Sequence, residues 1–374
     1  MATGSRFQSK LPMWVQESLT GAIRSAVSLP LLMGFEPAMA TARAAGRLFA
    51  TSRINRKRFP RSATNLRIAF PWASEERIHE LAVSGYEHLF QLGVEISYTP
   101  RLITEEGFRR QLSFSPIEPA VRALLSGRPI ILLSGHSGNW ELIGYSMSML
   151  GFPMAATYRP LDLRPLDAWL FDTRQRRGLT LHSKFGSVRS IPIAMAEGMP
   201  AGFVADQSGG DRGVFVPFFG RLTSTYKSIG LLAMQTGATI ICGNARRLGP
   251  QDSVPGGGVA GNAGTGGPPS MRYTVQLVDV FGPDDWNGRP DPLYYLTARY
   301  RRAIERMILQ APDQYLWMHR VWRSRPLHER SGKPFPDALR SKLAGLPWMT
   351  DSDLEGIVDR SDRDTRLVAE GAPL

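Results

Sequence analysis

The residues best suited to chemistry lie in one short stretch, Ile131-Leu132-Leu133-Ser134-Gly135-His136-Ser137-Gly138-Asn139-Trp140-Glu141-Leu142. Its apolar start reads as a buried strand, Ser134 to Gly138 as a tight turn, and Trp140 to Leu150 as a helix. His136 and Glu141 therefore fall where a strand meets a helix N-terminus, a place of unsatisfied backbone N–H groups and positive local potential. That potential favours a neutral, proton-accepting imidazole. With the turn folded back, Glu141 is expected to reach one ring nitrogen, fix the tautomer and leave the other nitrogen as a general base. The structural alternative is that His136 caps the helix while Glu141 complements its dipole.

Asp206 follows a second apolar strand, Ala201 to Ala205, and should share the carboxyl edge of a parallel sheet with His136, where ligands of open sheets bind. Asp206-Gln207-Ser208-Gly209-Gly210 is a polar turn suited to contacting a ligand, or simply an Asx-turn that ends the strand. Arg159, Arg164, Arg174, Arg176, Arg177 and Arg189 supply cations that could clamp a phosphate or neutralise an oxyanion. A competing chemistry comes from Gly135-His136-Ser137-Gly138-Asn139, close to the G-x-S-x-G nucleophile elbow of α/β-hydrolases. It departs from that elbow at Asn139, where a small residue is wanted. Ser137, Asp279 and His319 nevertheless keep open an alternative, a serine esterase or lipase using Ser137.

The elements that must position these groups alternate. Strand and helix signals succeed one another from Pro129 to Gly243, which predicts an α/β fold with a mainly parallel central sheet flanked by helices. Met271 to Val280 reads as a half-exposed strand at an antiparallel edge. Ser115-Pro116-Ile117-Glu118 reads as a capping box. Before this core, Leu11, Val15, Leu19, Ile23 and Val27 recur every fourth residue beside Trp14, and a basic ladder from Arg43 to Arg61 follows. Residues 1–62 are thus expected to form an amphipathic, basic segment that associates with a membrane, 63–326 the catalytic domain, and 327–374 a polar, loosely ordered tail. The Gly-rich run 255–269 contains a formal G-x-G-x-x-G but opens no helix, so it reads as a flexible insertion.

Composition narrows the partners. The chain carries 45 Lys and Arg against 33 Asp and Glu, a net charge of +12. Such a surface seeks anions, whether lipid, phosphorylated substrate or nucleic acid. Zinc-finger, RNP and basic-zipper signatures are missing, and no nucleic-acid partner is expected. The single cysteine, Cys242, excludes an intramolecular disulfide and reads as a packed core thiol. The scattered histidines predict no metal, and no apolar run reaches the ~18–20 residues that span a bilayer.

Gly135-His136-Ser137-Gly138-Asn139-Trp140-Glu141-Leu142 resembles the H-x4-D/E motif of glycerolipid-type acyltransferases, in the form found in the lipid A biosynthesis (late, lauroyl/myristoyl-type) acyltransferase family. Further pieces recur in order: Tyr158-Arg159-Pro160, Arg174 with Gly178, Ala205-Asp206-Gln207, Val214 to Arg221, and Ala311 to Arg320 with Arg325-Pro326. The resemblance implies a transferase that moves a fatty acyl chain from a thioester carrier, acyl carrier protein or coenzyme A, to a hydroxyl of a glycolipid or lipid A-like acceptor. It implies His136 as the base and Glu141 as its partner, with Asn139, Arg159, Arg174, Asp206, Gln207 and Arg221 as substrate-binding positions. No cofactor beyond the thioester is implied. The place implied is the cytoplasmic face of a bacterial inner membrane, on an anionic lipid surface. The sequence departs from the family pattern at Ser224 to Ser228, at the Gly-rich insertion and in its extended tail.

Overall fold

The computed structural model describes residues 11–175, 178–183, 186–249 and 271–370. The predicted α/β architecture is present as a seven-stranded sheet. Its strands are β1 (Leu112–Phe114), β2 (Ile130–Ser134), β3 (Met154–Tyr158), β4 (Leu179–Ser183), β5 (Ala201–Val204), β8 (Thr239–Arg247) and β9 (Tyr273–Phe281), in the order β1-β9-β8-β2-β5-β3-β4. Strands β6 (Val214–Phe218) and β7 (Arg221–Thr225) form a separate antiparallel hairpin. Five strands run parallel, from β8 through β2, β5 and β3 to β4. β9 is antiparallel to β8, as its alternating pattern suggested, but β1 pairs with its outer side, so β9 is not the edge.

The central strand β2 is buried along its whole length, which is why it reads as a continuous apolar run. The helix Pro292–Gln310 packs on one face, burying Leu296, Tyr300, Ile304 and Ile308 in the main core with Ile131, Leu133 and Ile240. The helix Glu75–Leu102, capped by Ser74, joins the N-terminal elements to this body. The helix Phe35–Thr51 lies so close against it that a Cβ on Gly46 would sit 2.7 Å from the backbone of Tyr86 and Glu87. Ser115 is not a capping residue: the helix begins at Glu118, and the Ser115 hydroxyl accepts the Leu277 N–H of β9 instead.

Residues 327–370 are not a loose tail. They form the helices Leu327–Arg330, Asp337–Ala344 and Asp351–Ala369, and Leu343, Leu346, Leu354, Ile357 and Val358 join the main core. The segment is polar on average, but its few apolar side chains recur on one helical face. Its polar groups also pair internally: Asp364 bonds Arg221 at 2.7 Å and Arg325 at 2.8 Å, all three being buried. The Gly-rich run 255–269, Arg176 and Arg177 lie outside the described residues.

The N-terminal helix Met13–Ser28 turns Gln16 and Thr20 inward, while Trp14, Leu19 and Ile23 face out. Leu29, Leu32 and Met33 extend that exposed apolar surface, Leu32 being 85% exposed. Among the described residues, no helix is long and apolar enough to cross a membrane.

Candidate active site

Strand register brings the first two groups together. Ser134 at the end of β2 pairs with Val204 at the end of β5, and the Ala205 N–H donates to the Ser134 carbonyl at 2.9 Å. His136 and Asp206 each come two residues later, so they leave adjacent strands at the same carboxyl edge. There His136 Nδ1 lies 2.6 Å from Asp206 Oδ1. The carboxylate can only accept, so Nδ1 carries the proton and Nε2 is left as the basic nitrogen.

This corrects the expected pairing of His136 with Glu141. The first helical turn carries Glu141 away from the imidazole and onto Arg174, whose Nη2 and Nε bond its two oxygens at 2.6 and 3.3 Å. The family resemblance counts Asp206 among the substrate-binding positions, but it is wholly buried and does not line the cavity. Burial alone would raise its pKa; the charge and hydrogen bond of His136, followed by His319 and Arg301, override burial and hold it well below the usual carboxylate range.

Local structure around His136 is tightly determined. Gly138 has φ of +62°, and a Cβ there would come 2.2 Å from the Ala245 carbonyl, so the turn requires glycine. Its N–H donates to the Gln314 carbonyl and that of Asn139 to the Ala245 carbonyl. Asn139 caps the helix Trp140–Met149 by accepting the Leu142 N–H at 3.0 Å, and its amide donates to Glu95 at 3.2 Å. Being fully buried in these contacts, it is a structural residue rather than a substrate contact. Arg221 is likewise removed from the site by its buried ion pair with Asp364.

Two rings flank the imidazole: Trp140 edge-on with centroids 4.7 Å apart, and His319 tilted at 4.5 Å. His319 lies far along the chain in an aromatic run, and spacing offered no sign that it would meet His136. Burial, helped by His136, pushes its pKa down to about 4, so it is neutral near pH 7.

His136 opens onto a cavity of ≈ 1050 Å³, at the upper end of small-molecule sites. Its polar lining includes Glu141, Arg159, Arg174, Gln207, Tyr226 and Ser228. The remaining wall is largely apolar, from Phe114, Val121, Leu132, Met147, Phe152 and Leu277 among others. Of the residues singled out from sequence, His136, Glu141, Arg159, Arg174 and Gln207 therefore converge on one space. Such a site can hold a long apolar chain in a space that a basic nitrogen and cations also line.

The serine-nucleophile alternative does not fit this geometry. Ser137 is fully buried, faces Asn244 at 3.5 Å and is bridged through its backbone to Tyr315. Asp279 is held by Arg299 at 2.9 and 3.0 Å, leaving no carboxylate relay to His319.

Residues 20–252 match the bacterial lipid A biosynthesis acyltransferase family. A lipid A biosynthesis acyltransferase of Haemophilus influenzae is 25% identical over 276 residues, covering 72% of this chain and 77% of that protein. A lipid A biosynthesis palmitoleoyltransferase of Escherichia coli is 24% identical, covering 71% and 79%. A lipid A biosynthesis lauroyltransferase of the same organism is 24% identical, covering 70% and 78%.

Proposed function

Because the chain belongs to the bacterial lipid A biosynthesis acyltransferase family, and is thus an acyltransferase, we propose that it moves a fatty acyl chain from a thioester carrier to a hydroxyl of lipid A or a related glycolipid, with His136 as general base. The observation that carries this reading is a single one: an imidazole fixed through Nδ1 by a buried carboxylate lines a large, mostly apolar cavity. The cavity takes the acyl chain, which leaves the thioester carbonyl near His136. Nε2 removes the proton of the acceptor hydroxyl as its oxygen attacks that carbonyl, forming a tetrahedral intermediate. Arg174 and Arg159, with the first-turn N–H groups of the Trp140–Met149 helix, supply positive potential for the oxyanion. Collapse of the intermediate breaks the C–S bond, and the departing thiolate takes the proton back from Nε2. Glu141 acts one step removed, by holding Arg174 in the cavity wall.

The outward apolar side chains of residues 13–33, followed by the basic ladder, support seating on an anionic bilayer surface. Acyl carrier protein and coenzyme A thioesters are the two donor classes, and parallel assays with each select between them. The mechanism is tested with His136→Ala and Ser137→Ala, following the mass gain of a lipid A precursor. Loss of transfer in His136→Ala with activity retained in Ser137→Ala is expected. A trapped acyl group on Ser137, or inactivation by Ser137→Ala in a folded protein, refutes it.

A further inference from the structure

Asp206 uses Oδ1 on His136, while its Oδ2 is buried and makes no hydrogen bond among the described residues. A carboxylate oxygen left in a dry interior requires compensating charge or donors close by. Two side chains that do not line the cavity face this requirement. Tyr315 is fully buried with its hydroxyl unbonded, and its backbone bridges Ser137, the residue next to His136. Burial, and then the charge of Asp206, push this phenol's pKa well up, so the hydroxyl keeps its proton and can only serve a carboxylate as a donor.

Arg301 comes from the helix Pro292–Gln310. It is 0% exposed, stacked 3.8 Å over the Phe218 ring, and its Nη1 donates to the carbonyl of Ala205, the residue before Asp206, at 3.2 Å. Its Nε and Nη2 are also buried and unbonded. A guanidinium stays charged and needs a counter-ion when buried. The two carboxylates that act on it are Asp206 and Glu305. Glu305 accepts the Phe219 N–H at 2.7 Å, and its burial pushes it towards the neutral acid. Asp206 is therefore the anion that answers Arg301.

We propose that Tyr315 and Arg301 are positioning residues for acyl transfer: together they keep Asp206 ionised and oriented, so that it holds the His136 Nδ1 proton and leaves Nε2 aimed at the acceptor hydroxyl. This rests on His136 being the base, and the test separates the two ideas. Tyr315→Phe, Arg301→Lys and Arg301→Met are made in the natural chain and again on Asp206→Asn, and kcat and KM are measured with the thioester donor. In the natural chain Tyr315→Phe and Arg301→Met lower kcat on the order of 10- to 100-fold, the scale of one hydrogen bond to a charged group, with KM unchanged. Arg301→Lys, which keeps the charge, retains more activity than Arg301→Met. On Asp206→Asn the same changes cost less than about twofold, because residues acting through one partner are not additive. Equal losses in both backgrounds, or a rise in KM alone, overturn the proposal. Full activity of Asp206→Asn itself overturns the base assignment on which it rests. Tyr315→Phe removes a single oxygen, and its cycle decides the matter even where Arg301→Met fails to fold, as judged by circular dichroism.

Discussion

The comparison of Asp206→Asn with Glu141→Gln tests which carboxylate serves the base. Asp206 is wholly buried and 2.6 Å from Nδ1, so no water can take its place. Asparagine keeps the shape but removes the charge and allows its carboxamide NH2 to face Nδ1. The imidazole then favours the tautomer with the proton on Nε2, which cannot accept a proton from the acceptor hydroxyl. The same change in the Ser-His-Asp arrangement costs about 10^4-fold in kcat, ~5.5 kcal/mol of transition-state stabilisation. A loss of that order is expected here, with KM for the thioester little altered.

Glu141→Gln strikes a different bond. Its partner is Arg174, and both side chains are partly open, at 15% and 34% exposure. Losing one charge-assisted contact there is worth about 1.5–3 kcal/mol at most, or roughly 10- to 100-fold. Part of this appears in KM, because Arg174 lines the cavity. The assay is transfer from a labelled thioester to a lipid A precursor, read by mass spectrometry under single-turnover and steady-state conditions. The reverse order, with Glu141→Gln losing about 10^3-fold and Asp206→Asn less than tenfold, refutes the assignment.

Three further outcomes follow from the same geometry. His319 titrates at about 4 in the folded chain against 6.5 for a free imidazole, so the unfolded chain binds a proton that the folded chain refuses in that window. Stability therefore falls as pH drops from about 6.5 towards 4, by about 2 kcal/mol at pH 5 from this residue; His319→Gln should flatten the urea-midpoint profile between pH 7 and pH 5, and an unchanged slope counts against it. His88 and His328, also lowered by burial, leave a residual slope of the same sign. Asp364→Ala strips Arg221 and Arg325 of their shared buried carboxylate, and a destabilisation of about 3–5 kcal/mol is expected, read as a fall in Tm; a shift under about 1 kcal/mol would show that the C-terminal helices are an accessory. Deleting residues 1–35 should release the protein from vesicles of anionic phospholipid in a flotation assay, and binding that survives the deletion assigns the exposed apolar surface another role.

How much of the site could be read from the residues depended on whether the information was local. The strand–turn–helix around His136 was legible because an apolar run, two glycines and a capping asparagine specify it within a dozen residues. Most of the parallel sheet was legible for the same reason, since β2, β3, β5 and β8 each stand out as a short apolar run, whereas β1 and β4 do not. The partner of His136 was not. Glu141 looked right because it is near in sequence, but the carboxylate that reaches Nδ1 is decided by the register of β2 against β5, a pairing between residues 70 positions apart. Arg221 and Asn139 were misplaced by the opposite error, since a position within a family motif says that a residue matters and not which atom it touches.

The C-terminal segment shows why average composition misleads. Its charges suggested solvation, yet Arg325, Glu329, Ser361 and Asp364 satisfy one another inside the protein, with Ser361 donating to Glu329 at 2.6 Å. A charged sequence can be buried wherever opposite signs arrive at one place, and only the three-dimensional path of the chain says whether they do. The same logic applies behind the active site. The helix Pro292–Gln310 was not anticipated at all, and it delivers a buried cation to the strand end that carries Asp206. Charges that look like surface in the sequence thus become the electrostatic setting of His136, and in the proposed mechanism that setting separates a base from a histidine that merely caps a helix.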